Sequence, residues 1–133
     1  MLPEIIDIID TINYKTTLRS NGLCELTYKS SGIITLDVAK ELTAEILDFY
    51  PDGYVIIADS DDAMLNISAE ARDYFAKAPE IIAKRKAQAL IIQNLGQRLM
   101  ARFYVNFYTH ACPTKTFSNK NDAYIWISRY LLD

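Results

Sequence analysis

Two short stretches, Tyr54 to Ala58 and Ala87 to Ile92, are apolar almost throughout and show no alternation of wet and dry positions. Successive side chains on a strand point to opposite faces, so a half-exposed strand alternates, and these runs do not. Continuous apolar strands belong inside a sheet covered by helices on both faces. That requirement makes the chain an α/β protein and assigns the remaining segments the task of covering the sheet.

The segments on either side fit that task. Tyr14 to Arg19 and Leu23 to Lys29 flank Ser20-Asn21-Gly22, and Asn-Gly between β-prone runs predicts a tight hairpin. Thr35 followed by Leu36-Asp37 reads as a helix N-cap with an acid in the first turn, where the helix dipole favours it. The helix that follows places Ala39, Leu42, Ile46 and Phe49 on one stripe, with Lys40, Glu41, Glu45 and Asp48 outward, and Pro51-Asp52-Gly53 stops it. Ser68 caps a helix through Phe75, and Pro79 begins a second piece, Glu80 to Lys86, whose basic run Lys84-Arg85-Lys86 reads as a solvated helix end. Leu95 to Thr109 has helical spacing, Thr114 to Phe117 reads as a short strand, and Asn119 or Asn121 caps a last helix that buries Ala123, Trp126, Ile127 and Tyr130. In Leu2 to Ile12, Ile5, Ile8, Ile9 and Ile12 recur at helical spacing, which predicts a short amphipathic helix. The order is β-β-α-β-α-β-α-β-α, a mixed and largely parallel sheet opened by an antiparallel hairpin.

A chain of 133 residues forms one core comfortably, so a single domain over residues 1–133 is expected, with residues 1–13 as a helical extension. A net charge of −3 and a pI near 5.1 argue against a nucleic-acid partner, which needs clustered Lys and Arg. Cys24 and Cys112 lack metal-site or disulfide spacing and are expected to be reduced thiols. No stretch has the pattern of a signal peptide or the length of a membrane span, so the expected location is the cytoplasm.

Three pieces, Gly32-Ile33-Ile34-Thr35-Leu36-Asp37-Val38-Ala39, Ser68-Ala69-Glu70-Ala71-Arg72-Asp73-Tyr74-Phe75 and Pro113-Thr114-Lys115-Thr116-Phe117, together with the element order, resemble the STAS or SpoIIAA-like family of sulphate-transporter and anti-sigma-factor-antagonist domains. The likeness runs from Tyr14 onward and is greatest to uncharacterised stand-alone bacterial members. It implies a SpoIIAA-like sheet with helices packed on it, and a partner surface near Asp59, Ser60, Asp61, Asp62 and Ser68. Antagonists of the family carry Asp-Ser-Ser-Gly at the start of the helix after the central strand, with a phosphorylated serine. Here the comparable stretch is Ser68-Ala69-Glu70-Ala71, and Glu70 would repel a second negative group, so the phosphorylation switch is expected to be absent.

The remaining motifs do not assemble a catalytic set. Asp59-Ser60-Asp61-Asp62 after an apolar strand is similar to the Asp-x-Asp signature of haloacid-dehalogenase-type phosphatases, where one carboxylate attacks phosphorus and both organise magnesium. The second strand ends in Gln93-Asn94, without the Lys and acidic pair that such chemistry needs. His110 and Cys112 are two apart, which in an extended segment turns them to opposite sides, and Cys112-Pro113 is too short to indicate haem. No catalytic residue, metal ligand or cofactor is therefore expected. In Leu95 to Thr109, Leu95, Leu99, Phe103 and Phe107 form a core stripe while Met100, Tyr104 and Tyr108 widen the apolar arc, as in an oligomer or partner interface, a broad internal contact with the N-terminal helix, or a pocket wall. The expected role is a non-enzymatic regulatory or scaffolding domain acting by protein binding or homodimerisation. The alternatives are a domain that binds a small apolar or lipid-like ligand and, less in keeping with the residues present, a magnesium-dependent phosphatase.

Overall fold

The computed structural model describes residues 2–29, 33–60, 66–99, 102 and 112–132. Six strands form one sheet in chain order: β1 (Ile5–Asp10), β2 (Tyr14–Arg19), β3 (Leu23–Tyr28), β4 (Tyr54–Ser60), β5 (Arg85–Ile91) and β6 (Thr114–Phe117). β1, β2 and β3 pair antiparallel, whereas β3 to β6 run parallel. Helices α1 (Leu36–Phe49), α2 (Ala69–Lys77), α3 (Pro79–Lys84), α4 (described over residues 95–99) and α5 (Lys120–Ile127) connect or follow the parallel strands. A parallel connection is right-handed, so successive crossovers stepping in one direction across the sheet place their helices on one face. α1 and α2 do share a face, over Leu26 and Ile56, while α5 covers Leu23, Val55, Ile57, Ala87 and Ala89 on the other. The two apolar runs are the inner strands β4 and β5, as expected.

The local signals explain most of the boundaries. Asn21 and Gly22 both have positive φ, 61° and 75°, as the two central residues of a tight turn in which the Leu23 N–H donates to the Ser20 carbonyl at 3.4 Å. Leu132 closes on that turn, its N–H donating to the Asn21 carbonyl at 2.8 Å while Asn21 Nδ2 donates to the Leu132 carbonyl at 2.9 Å. Thr35, Ser68 and Asn119 accept from the N–H of Val38, Ala71 and Asp122, capping α1, α2 and α5. Tyr50, at the end of α1, holds its hydroxyl 2.9 Å from the carbonyls of both Arg19 and Leu23, which share its single proton and fix the helix end to both arms of the hairpin.

Three expectations are corrected. Leu2 to Ile12 does not form a helix: its β-branched isoleucines lie along the open edge of β2 as β1, and ladder hydrogen bonds outweigh the accidental helical spacing. Lys84-Arg85-Lys86 is not a solvated helix end. Arg85 opens β5 and is only 6% exposed, because its Nη1 donates at 2.9 Å to the carbonyl of Phe75 in the last turn of α2, where intrahelical partners run out. Leu95 and Leu99 are not core positions: they are 69% and 55% exposed, while Gln97 between them is buried. Phe103 and Phe107 lie outside the described residues.

The α5 face carries one buried ionic group. Glu25 on β3 is paired with Arg19 and accepts from the Tyr124 hydroxyl, and Lys120 Nζ stands 3.8 Å away. On the other face Tyr14 donates to Glu45 of α1, which ties β2 to a helix position expected to point outward. Burial pushes the phenols of Tyr14, Tyr50 and Tyr124 above the ordinary tyrosine range, reinforced at Tyr14 by Glu45 and at Tyr124 by Glu25, and burial does the same to the Cys24 thiol. A folded-state pKa above the unfolded one, about 10 for tyrosine, stabilises the fold fully below that value and loses its contribution as pH rises past it. Denaturant midpoints should therefore hold steady through neutral pH, begin to fall above about pH 8.5 as the unfolded Cys24 thiol ionises, and fall more steeply above about pH 10. Absorbance titration of the nine tyrosines should show a late-ionising group released on unfolding, and a single transition with the fold intact would contradict this.

Candidate functional site

The register of the parallel strands builds the site. Leu26, Ala58 and Leu90 are opposite one another on β3, β4 and β5, and Ile56 is opposite Gln88 one pleat earlier. These side chains face the layer of α1, α2 and α3. Over β4 and β5 the two layers do not close completely, and a cavity of about 120 Å³ remains. Its floor is Leu26, Ile56, Ala58, Gln88 and Leu90, and its roof is Leu42 and Ile46 from α1, Phe75 from α2 and Ile81 from α3. A dry cavity of about 150 Å³ accommodates benzene, so this space suits a single ring or a short branched chain.

Polar groups stand in the same wall: Thr43, Asp59, Ser60, Arg72, Arg85, Gln88 and Gln97. Several are fixed by one another. Ser60, 7% exposed, accepts from Gln97 Nε2 at 2.7 Å, and Gln97 Oε1 accepts from the N–H of Gln93 at 2.8 Å. Asp59 Oδ1 accepts from Gln93 Nε2 at 2.7 Å and from the N–H of Ser60 at 2.7 Å. Gln88 Nε2 donates to Thr114 Oγ1 at 2.9 Å, which holds the amide against β6. Arg72 Nη1 donates at 2.7 Å to the carbonyl of Ile67, while its Nε is buried without a hydrogen-bond partner among the described residues.

The expected site residues are distributed unevenly over this region. Asp59 is half-buried at the end of β4 and Ser60 is buried beside it. Ser68 is the cap of α2, its oxygen accepting from the N–H of Ala71 at 3.1 Å. Gln93, read as the residue that replaces a phosphatase's missing partner, instead braces Asp59. Asp61, Asp62, Met100, Tyr104, Tyr108 and His110 lie outside the described residues. Cys112 is half-buried and Cys24 fully buried, both as free thiols. Sequence reasoning missed Arg72, Arg85 and Gln97. A signal existed for Gln88, the one polar residue inside the second apolar run, but Arg85 was hidden within a basic triplet and Gln97 within an apolar helix pattern.

No helix among the described residues is long and apolar enough to cross a membrane. No curated protein matches the sequence. A crystal structure of an uncharacterised protein from the DUF3478 family with a SpoIIAA-like fold, from Shewanella loihica PV-4, superimposes with a TM-score of 0.56 at 20% identity, covering 89% of this chain and 96% of that one. At that identity the likeness shows the fold alone, and the fold is SpoIIAA-like. A family model described as a domain of unknown function matches residues 17–131, which span all of the parallel sheet and its helices, and the chain therefore belongs to that family, DUF7793.

Proposed function

We propose that the domain works by binding rather than by catalysis, and that what it binds is a small, mainly apolar molecule held between the sheet and α1 to α3. The observation that carries this reading is the cavity itself: apolar over most of its wall, set at the inner strands, and edged by polar side chains that already have fixed partners. Ligand sites have that character, apolar walls with a few oriented polar groups. In open α/β sheets they also lie by preference at the carboxyl ends of the strands. Asp59 supports the non-enzymatic part. The strand β5 is followed by Gln93-Asn94 in place of the Lys and acidic pair that phosphatase chemistry needs, and Gln93 is spent in holding Oδ1 of Asp59.

Titrating the protein with toluene while recording amide NMR shifts tests the pocket. Shifts should concentrate on Ile56, Ala58, Phe75 and Leu90, and saturation at about a hundred times Kd should add about 2.7 kcal/mol of stability. Ala58→Leu, which fills part of the cavity, should fold and lose the response. Shifts scattered over the surface, or an Ala58→Leu protein that responds as before, would sink the reading. For the chemistry, neither the natural protein nor Asp59→Asn should hydrolyse a generic phosphate ester with magnesium, and turnover abolished by Asp59→Asn would establish an enzyme instead.

A second reading, a regulatory or scaffolding domain that pairs with its own copy or another protein, is favoured by β1. It is an end strand of the sheet with Ile5, Ile6 and Ile8 all about half exposed, and among the described residues nothing pairs with its outer edge. An apolar open edge of this kind is a template for strand addition. Ile8→Lys should convert a dimer to a monomer by light scattering, while a natural protein already of monomer mass would dismiss self-pairing.

A further inference from the structure

We propose that the ligand of this pocket is a small apolar carboxylic acid, its carboxylate held by Arg72; the inference rests on the reading of the cavity as a binding site. Arg72 rises from the first turns of α2 into the cavity wall. One of its three nitrogens, Nη1, is engaged by the Ile67 carbonyl, which fixes the plane of the guanidinium. Nε is removed from water and has no acceptor among the described residues. A buried donor left without an acceptor is costly, and nearly all such groups in folded proteins are satisfied by something. No carboxylate among the described residues forms an ion pair with Arg72. The edge made by Nε and Nη2 is the fork that takes a carboxylate through two parallel hydrogen bonds.

A guanidinium at the edge of apolar space selects a molecule with an anionic end and an apolar body. The carboxylate among the described lining residues, Asp59, is bonded to Gln93 and, by the alternation along β4, lies on the α5 face with Tyr124. A single planar charge suits the pocket better than a phosphate dianion: one guanidinium edge offers two donors, which match the two oxygens of a carboxylate.

The test uses the full chain and three ring compounds of similar size, benzoate, benzamide and phenyl phosphate, followed by NMR titration beside toluene. Benzoate should bind on the order of ten- to a hundredfold more tightly than benzamide, the range expected of a charge-assisted hydrogen-bonded pair. Arg72→Gln should bring benzoate down to the benzamide level and leave benzamide and toluene as they were. Arg72→Lys, which keeps the charge and loses the fork, should fall between the two, and if Arg72→Gln does not fold the benzoate-to-benzamide ratio of the natural protein decides alone. Equal affinities for benzoate and benzamide, with toluene still bound in the cavity, would overturn the acid while leaving the apolar pocket in place. Phenyl phosphate binding more tightly than benzoate would overturn the carboxylate assignment, and failure of all four compounds would remove pocket and acid together.

Discussion

Everything in this domain is arranged around the need to keep β4 dry on both sides. Val55 and Ile57 point to α5 and Ile56 points to α1, so no face of the strand is available to water. β3 and β5 must flank it in parallel to take up its backbone groups, and helices must cover both faces. The hydrophobic gain is large, roughly 1.5–3 kcal/mol for each fully buried aliphatic side chain. It is realised only in one register, because a shift by a single residue would exchange the two faces.

The same constraint produces the cavity. α1, α2 and α3 come from successive crossovers on one face, and α2 and α3 are short and separated at Ala78 and Pro79. Three rigid rods over a twisted sheet leave a gap where small side chains meet, here at Ala58. The opposite face, covered by α5, closes through Ala87, Ala89 and Ala123, where small residues let the helix approach. Small residues therefore act differently on the two faces: under α5 they permit close contact, and under α1 to α3 one of them leaves room.

Much of the fold was legible from residues. The apolar runs marked β4 and β5, Asn21-Gly22 marked the hairpin, and Thr35, Ser68 and Asn119 marked helix starts, because each signal is a local requirement satisfied by local chemistry. β1 was not legible, since Ile5, Ile8, Ile9 and Ile12 satisfy a helical period and only the open edge of β2 decides between the two forms. The site was less legible still. Whether Arg72 or Arg85 points into a cavity depends on which carbonyl it finds, Ile67 for one and Phe75 for the other, and such partners are fixed by packing between elements.

The strand order carries a kinetic consequence. Each strand from β2 onward is laid beside the one synthesised immediately before it, so the sheet extends in one direction and never has to hold a place open for a later segment. Loop-closure entropy is met in modest steps, first by two three-residue hairpin connections and then by single crossovers. A hairpin closed by Asn21-Gly22 and clasped by Tyr50 leaves β3 as the edge on which β4 is laid, and each later strand needs only one further crossover to reach its neighbour.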